Sequence, residues 1–415
     1  MADYKYLIMV DPVSNHNKFY EMTRADGAFT FKVTYGRVGV SGVTREYPVE
    51  QWEKKYDEKL RKGYTDQTYL HSAPTVTATD IADDGYAPIK DKKVASFIDE
   101  LKGYTERYIR KHYTIKASSV TPQMVENAQM YVGYLYSTDN VGTFNRYLKN
   151  IFEILPRRMS DVYSYLAHSE DDFQKIIERE EKVLSVMRGK VNSDLFKKNL
   201  KSSLIDSDST AKETYLDVHG LNVSPATSKE KDQVLRHLDS SVQAKVKKVF
   251  RVVNRDTDEA FNARLDKMED KTVKFLCHGT RNPNVLSIMD VGLKIHPPIK
   301  VTKAGHMWGY GEYFGNNNAE GSVKAMGYCS FGFWNRHLGG RTSDKGYLMI
   351  FKVATGKAYH CSQWSTRMSE LDYDKVHKMG YDSLHVHGGN SVQHDELIVY
   401  REDQMTLRYV VELGN

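Results

Sequence analysis

The segment Val273-Lys-Phe-Leu-Cys-His-Gly-Thr-Arg281 decides the fold of the C-terminal half of this 415-residue chain. Its apolar and aromatic residues predict a strand over Val273–Cys277. His278, Gly279 and Thr280 then place polar groups where that strand ends. His278 can donate a hydrogen bond to a sugar hydroxyl, and Gly279 lets a planar ligand approach the backbone because it has no Cβ. Taken alone, however, such a tripeptide is more often a turn with a surface histidine.

Further strands are predicted on both sides of this segment. Val242, Ala244 and Val246 alternate with polar neighbours, which predicts a strand there. A short helix is predicted from Asn282 to Met289, closed by Gly292. Three more strands are expected later in the chain, at Tyr347–Val353, Glu396–Tyr400 and Thr406–Leu413. Mostly consecutive strands with few helices favour an α+β fold over a doubly wound sheet.

A second group of candidate ligand-binding residues lies in Gly305–Gly315, where aromatic residues alternate with glycines. Such a loop can lay rings, including that of Tyr313, against a flat ligand. An aromatic β-turn packed on the core would produce the same pattern. The next segment, Lys324–Cys329, predicts a helix that offers Tyr328 to the same face.

A carboxylate stands near the C-terminus within the apolar segment His394–Tyr400. Strand alternation places Glu396 on the same face as Ile398 and opposite Leu397. A carboxylate on a core strand is costly unless it has a partner, and a ribose hydroxyl would serve. The alternative is a glutamate on an edge strand that faces water.

The N-terminal half divides into a β-rich and a helical region. Phe29, Phe31 and Val33 alternate with polar residues, which predicts a half-buried strand. A charged helix is expected at about 49–62, and residues 70–90 have no apolar period, so we interpret them as a linker.

Residues 91–190 predict a helical bundle. Thr121-Pro122 is a typical N-cap and first-turn pair. A second helix containing Phe144 is expected to stop before Pro156, and a third is expected to end at Gly189. Residues 191–230 are interpreted as a polar transition.

Composition narrows the function classes. Hydrophobic residues make up 40% and charged residues 27%, as in ordinary globular proteins. The net charge of +5 permits a polyanionic partner without requiring one. The three cysteines lack zinc-ligand spacing, so we expect no metal and a reducing, intracellular compartment. No secretory signal or membrane-spanning apolar run is present, and the motifs of Rossmann dehydrogenases, serine hydrolases, P-loop proteins and zinc proteases are absent.

Three of these segments resemble the catalytic domain of the poly(ADP-ribose) polymerase family in order and context. They are His278–Thr280, Tyr313–Gly315 and Asp395–Tyr400, which match the family's His-Tyr-Glu signature. Val291–Pro298 resembles the entry to the family's NAD-lining loop. Three linked motifs with matching flanks are far more specific than any one of them.

The resemblance extends upstream and implies a multidomain fold. Residues 1–70, with Asn17–Tyr20 and Val33–Gly39, resemble the family's α+β WGR domain. A linker at 71–90 precedes a helical regulatory domain at 91–205, an all-α bundle. Residues 206–415 would form the α+β, mainly antiparallel ADP-ribosyltransferase fold.

The resemblance implies that NAD+ is a consumed substrate and that His278, Tyr313 and Glu396 are the catalytic residues. His278 would bind the adenosine ribose, and Gly279 would hold the nicotinamide amide through its backbone. Tyr313 and Tyr328 would sandwich the nicotinamide ring. Glu396 would bind the nicotinamide ribose and orient the acceptor. The remaining NAD contacts implied are Thr280, Lys294, His306 and Ala325.

Some positions depart from the family pattern. Ala325 stands where the family has a serine that binds the nicotinamide amide, and Ser322 is the alternative hydroxyl. His306 replaces a tyrosine of the loop that covers the donor. Tyr35 stands where the first domain has its name-giving tryptophan.

The resemblance also implies DNA contacts by Asn17, Lys18, Tyr35 and Arg37. A basic helix over residues 54–62 is compatible with this role, although a solvated helix face is the more common explanation of such a pattern. We therefore expect a polymer-forming ADP-ribosyltransferase that DNA breaks stimulate and that modifies proteins, including itself, with no membrane partner. Single-unit transfer, or an inactive sensor of DNA breaks or NAD+, remains the alternative. The location would be nuclear in a eukaryote and cytoplasmic in a bacterium or virus.

Overall fold

The computed structural model describes residues 3–11, 15–68, 86–203, 213–295, 307–316, 318–330, 332 and 343–414. The chain forms two compact units. The N-terminal unit comprises Met1–Ala82 and Glu106–Val191, and the C-terminal unit comprises Asp83–Thr105 and Asn192–Asn415. Residues 71–85 of the predicted linker lie outside the described residues, as does His306.

The N-terminal unit contains an antiparallel sheet in the order β4-β3-β2-β1-β5. Its strands are β1 Asp3–Asp11, β2 His16–Arg24, β3 Thr30–Arg37, β4 Val43–Pro48 and β5 Thr65–Asp66. Helix α1, Trp52–Arg61, follows β4 after a 3-10 turn, as predicted. Phe31 and Val33 are buried in its core, as alternation predicts. Phe29 precedes β3 and is 86% exposed, so the prediction that it belongs to the strand is wrong.

Four long helices follow, namely α2 Lys92–His112, α3 Pro122–Leu135, α4 Val141–Ile154 and α5 Phe173–Ser203. Thr121 caps α3 by accepting the Met124 amide at 3.2 Å, as its sequence predicts. The predicted end of a helix at Gly189 is wrong, because α5 runs on past it. Met187 and Val191 continue its buried face on both sides of the glycine. Their burial outweighs the roughly 1 kcal/mol that an interior glycine costs.

A buried ion pair holds the helices of the N-terminal unit together. The Arg157 guanidinium donates to the Glu180 carboxylate at 2.7 Å, and both side chains are at most 3% exposed. Arg179 donates to the other carboxylate oxygen at 2.9 Å, and the Tyr113 ring lies 4.2 Å from the Arg157 guanidinium carbon. Although burial opposes ionisation, the two arginines hold the pKa of Glu180 below its usual value. The Arg157 carbonyl also accepts the Asn17 side-chain amide at 3.3 Å, which ties the sheet to the helices.

The C-terminal unit contains a sheet in the order β11-β12-β13-β9-β8-β10-β14-β7-β6. All its neighbouring pairs are antiparallel except β11 and β12. The multidomain α+β prediction is therefore confirmed. Its strands are β6 Leu221–Pro225, β7 Val246–Asn254, β8 Val273–Gly279, β9 Glu312–Gly315, β10 Lys345–Ala354, β11 Ala358–Cys361, β12 Ser383–Val386, β13 Glu396–Val399 and β14 Met405–Gly414.

The helices of this unit are shorter. They are α6 Tyr215–Val218, α7 Ser228–Arg236, α8 Ser240–Gln243, α9 Arg255–Lys267, α10 Asn282–Val291, α11 Ala319–Tyr328 and α12 Tyr373–Lys378. The strand predicted from Val242 is wrong there, because Asp239 accepts the Ser241 amide at 2.8 Å and caps a helical turn before β7 begins. The predicted transition at 191–230 likewise contains α6 and β6. None of the described helices is both long and apolar enough to cross a membrane.

The first part of α2 belongs to the C-terminal unit. Phe97 stacks on Phe250 of β7 with ring centroids 4.1 Å apart. Glu100 accepts a hydrogen bond from Lys345 at 2.9 Å. Residues 92–105 therefore pack into the core of the C-terminal sheet, and the predicted helical domain at 91–205 is shared between the two units.

We predict that Glu180→Gln destabilises the N-terminal unit by about 3–5 kcal/mol, because it leaves the Arg157 charge buried without its partner. Unfolding in urea, followed by hydrogen exchange of the α4 and α5 peptides, measures the loss. Glu178→Gln is the matched control, since Glu178 forms a partly exposed pair with Lys182 at 3.8 Å. Its cost should stay below about 1 kcal/mol. Equal effects of the two variants would contradict a stabilising role for the buried pair.

Candidate active site

The order of three neighbouring strands assembles the site. Strand β9 pairs with β13, with Tyr313 opposite Ile398 and Gly315 opposite Glu396. Gly315 of β9 also pairs with Cys277 of β8, which directly precedes His278. His278, Tyr313 and Glu396 therefore lie on three adjacent strands, although they are far apart in sequence.

His278 is a neutral imidazole at physiological pH. Burial lowers its pKa to about 4, although a hydrogen bond with the Tyr313 backbone favours the charged form. Its Nδ1 lies 3.3 Å from the Tyr313 carbonyl oxygen, which can only accept, so Nδ1 carries the proton. Nε2 then has a free lone pair. This differs from the sequence-based expectation, because Nε2 would accept a hydrogen bond from a sugar hydroxyl rather than donate one.

Glu312 is a site residue that the sequence analysis missed. Its carboxyl oxygen lies 3.4 Å from His278 Nδ1, and its side chain is 18% exposed. Burial, reinforced by the charge of Glu402, raises the pKa of Glu312 to about 8. Between about pH 4 and pH 8, His278 and Glu312 therefore form a neutral pair. The only sequence signal was a lone carboxylate in the aromatic and glycine segment.

Glu396 is paired inside the protein rather than exposed on a sheet edge. Strand β13 lies between β12 and β9, which excludes the edge-strand alternative. The Glu396 carboxylate accepts a hydrogen bond from Lys324 of α11, and the two side chains are 13% and 15% exposed. Lys324 was also missed. It lies one helical turn before Tyr328, so both point to the same face of α11.

Gly279 is required by the packing of α11. A Cβ at this position would lie 1.7 Å from the Ala325 carbonyl oxygen and 3.1 Å from the Tyr328 Cβ. Ala325 itself is 3% exposed. Ser322 does not supply the missing hydroxyl, since it is fully buried, donates to the Ala319 carbonyl at 2.6 Å and accepts the Asp239 amide at 2.9 Å.

The two tyrosines of the predicted nicotinamide site differ in exposure. The Tyr313 hydroxyl donates to the Gly309 carbonyl at 3.0 Å and accepts the Trp308 amide at 2.9 Å, which fixes its ring. Tyr328 is 46% exposed. Burial and the Glu396 charge raise the pKa of Tyr328, so its hydroxyl keeps its proton.

Two further predicted NAD contacts, Thr280 and Lys294, lie on either side of α10 in the sequence. The Thr280 hydroxyl accepts a hydrogen bond from the Asn284 side chain at 3.4 Å. Lys294 donates to Glu402 at 2.8 Å, and both of these side chains are about two-fifths exposed. Lys294 lines a cavity of about 750 Å³ together with Asn192 and Leu195 of α5.

The four predicted DNA contacts lie on β2 and β3. Lys18 pairs with Arg37, and Tyr35 lies opposite Tyr20. Asn17 is 1% exposed and bonded to the Arg157 carbonyl, so a contact with DNA would require that bond to break. Arg37 donates to the Ser160 carbonyl at 3.0 Å. Their DNA-binding roles stay predictions.

Comparisons with known proteins identify two domains in this chain. The model of the poly(ADP-ribose) polymerase catalytic domain matches residues 227–415, and the WGR domain model matches residues 4–69. A protein of Invertebrate iridescent virus 6 described as putative poly [ADP-ribose] polymerase-like 100L is 31% identical, over 40% of this chain and 84% of its own length. The uncharacterized protein 101L of the same virus is 30% identical, over 44% and 75%. Poly [ADP-ribose] polymerase 2 of Arabidopsis thaliana is 21% identical, over 96% and 71%.

We predict that Glu312→Gln stabilises the protein increasingly as pH rises. The folded-state pKa of Glu312, about 8, lies above its ordinary value of 4.5. The unfolded chain therefore binds fewer protons than the folded one between these values, and the wild type loses stability across this window. Glutamine does not titrate, so its advantage should grow by at most about 1.4 kcal/mol per pH unit.

Urea unfolding of both proteins at pH 5 and pH 8 measures this difference. The comparison of the two proteins at pH 5 serves as the internal control, because the wild type has lost little stability to the titration of Glu312 at that pH. A stability difference that is the same at both pH values would show that Glu312 is not held protonated beside His278.

Proposed function

This chain belongs to the poly(ADP-ribose) polymerase family, and we propose that it forms ADP-ribose polymers on proteins, including itself, when DNA breaks stimulate it. It is an NAD+ ADP-ribosyltransferase, so NAD+ is consumed rather than used as a redox carrier. The observation that supports the transfer of ADP-ribose is the meeting of His278, Tyr313 and Glu396 on adjacent strands, with Lys324 paired to Glu396.

The chemistry of the reaction requires a fixed carboxylate. Cleavage of the bond between nicotinamide and ribose develops oxocarbenium character on the sugar, as in glycoside cleavage. The Glu396 carboxylate stabilises that positive charge and polarises the incoming acceptor hydroxyl. Lys324 orients the carboxylate from α11, so little reorganisation is needed when charge develops.

The remaining residues hold NAD+. His278 accepts a hydrogen bond at Nε2 from a hydroxyl of the adenosine ribose. Gly279 binds the nicotinamide amide through its backbone. Tyr313 and Tyr328 enclose the nicotinamide ring, with Tyr313 fixed by its two hydrogen bonds to the backbone. Ala325 offers no hydroxyl, so the amide is held less tightly than in relatives that carry a serine there.

DNA stimulation is supported by the contacts of the predicted DNA-binding residues. Asn17 and Arg37 bond backbone carbonyls of Arg157 and Ser160, in the loop that follows α4. DNA phosphates compete for the same donors, because Asn and Arg side chains commonly bind phosphate oxygens. DNA binding would therefore release the sheet from the helices of the N-terminal unit.

We also propose that the helical region inhibits the enzyme in the absence of DNA, and the end of α5 that belongs to the C-terminal unit supports this proposal. Ser193 donates to the buried Asp290 carboxylate at 2.5 Å, and Tyr215 donates to the same oxygen at 2.6 Å. This bond fixes Asn192 and Leu195 in the wall of the cavity that also contains Lys294. Of the described residues assigned to NAD+, only Lys294 lines this cavity, so loosening this end of α5 would act on NAD+ through Lys294.

The catalytic proposal is tested with labelled NAD+, nicked DNA and Glu396→Gln. The variant should lose at least about 100-fold in label transfer, because the developing positive charge has no carboxylate to stabilise it. Glu370→Gln, which changes a glutamate with a 73% exposed side chain in the same unit, should behave as wild type. Equally low label transfer by the wild type and Glu396→Gln would contradict the catalytic role proposed for Glu396. A gel smear indicates polymer, whereas a single shifted band indicates one-unit transfer.

Autoinhibition is tested with Ser193→Ala. Loss of a hydrogen bond to a charged group costs roughly 1.5–3 kcal/mol, so activity without DNA should rise several-fold. Ser185→Ala on the same helix is the control, because that hydroxyl bonds the Lys182 carbonyl within α5. Equal basal activity of both variants would contradict the inhibitory role of this end of α5. Deletion of residues 91–190 is a poorer test, since residues 92–105 form part of the catalytic core.

A further inference from the structure

Three histidines converge at the edge of the C-terminal sheet, on or just after β11 and β12, two strands to which no function has been assigned above. His360 lies on β11 directly opposite His385 on β12, in the parallel register of these strands. His387 follows two residues after His385 and so shares its face. One ring nitrogen from each histidine lies within 4.8 Å of the others, and His360 Nδ1 is 2.8 Å from His387 Nε2.

Asp395 fixes the orientation of the central histidine. Its carboxylate lies 2.7 Å from His385 Nε2 and also accepts the Gly388 amide at 2.9 Å. A carboxylate accepts, so His385 Nε2 carries the proton and Nδ1 keeps a lone pair. His385 is 8% exposed, and its Nδ1 is buried without a hydrogen-bond partner. A buried lone pair without a donor points to a missing ligand.

We propose that His360, His385 and His387 bind a divalent transition-metal ion, with Zn²⁺ as the best fit. Neutral imidazole is a preferred ligand of zinc, and a carboxylate that holds the other ring nitrogen is the usual support of such a ligand. Nitrogens around a tetrahedral ion stand about 3.3 Å apart, given bond lengths of roughly 2.0–2.1 Å. The spacings in the cluster bracket this value, so small ring rotations complete the site.

The ion would connect the sheet edge to the strand that carries Glu396. It would link β11 to β12 through the histidines, and Asp395 would extend the link to the residue directly before Glu396. The exposed His360 gives the site access from solvent. The role is therefore structural, and it does not depend on polymer formation or on DNA.

The test is stoichiometric metal binding by the full chain after removal of bound metal with a chelator. Calorimetric titration with Zn²⁺ should show one equivalent bound, and Co²⁺ should give the visible bands of a tetrahedral site. The cobalt spectrum should lack a thiolate charge-transfer band, since the ligands are nitrogens. That band would instead assign the metal to a cysteine such as Cys361 and overturn the proposal.

Variants decide whether the three histidines are the ligands. His360→Ala and His387→Ala should each weaken Zn²⁺ binding by at least about 100-fold, while Asp395→Asn should weaken it about 10- to 100-fold by releasing His385. His360 is exposed, so its variant should fold even if a variant of buried His385 does not. His377→Ala, which changes an exposed histidine of α12, is the control and should bind as wild type. Absence of stoichiometric binding, or binding unchanged in both His360→Ala and His387→Ala, would overturn the proposal and leave a hydrogen-bonded histidine network.

Discussion

The close packing of α11 against β8 at Gly279 is the constraint on which the active site depends. The Ala325 carbonyl oxygen occupies the space that any Cβ at position 279 would need. Because the helix can approach this closely, Lys324 reaches Glu396 on β13, and Tyr328 stands beside Gly279. Helix and strands thus bring together residues from three distant segments. The absence of a Cβ at Gly279 therefore sets the distance between α11 and β8.

The site combines a neutral half and a charged half. On β8 and β9, burial keeps both His278 and Glu312 uncharged near pH 7, so no ion needs to be desolvated there. On α11 and β13, Lys324 and Glu396 form an ion pair that is largely shielded from solvent. A neutral acceptor suits a ribose hydroxyl, whereas a fixed carboxylate suits a developing cation. Under the proposed function, the neutral half would hold NAD+ and the charged half would break its glycosidic bond.

Sequence patterns predicted those parts of the fold that depend on local order, and failed where distant residues compete. The strand at Val273–Cys277 and the cap at Thr121 follow from neighbouring residues, and both are confirmed. The helix end predicted at Gly189 failed because the buried face on its far side stabilises continuation. Lys324 and Glu312 were missed because their roles come from partners on other elements. The prediction of the triad rested on the order of three motifs along the chain and on the residues that flank them. No single residue of the triad carries that information.

Two adjacent carboxylates at the start of β13 belong to separate networks. Asp395 and Glu396 are neighbours, and side chains alternate across an extended segment. Asp395 therefore turns to His385 and the Gly388 amide, while Glu396 turns to Lys324. Each carboxylate therefore has its own hydrogen-bond donors, and the two negative charges lie on opposite faces of the chain. The position of Glu396 thus depends on contacts made on both faces of the chain, one with Lys324 and the other through Asp395 with His385.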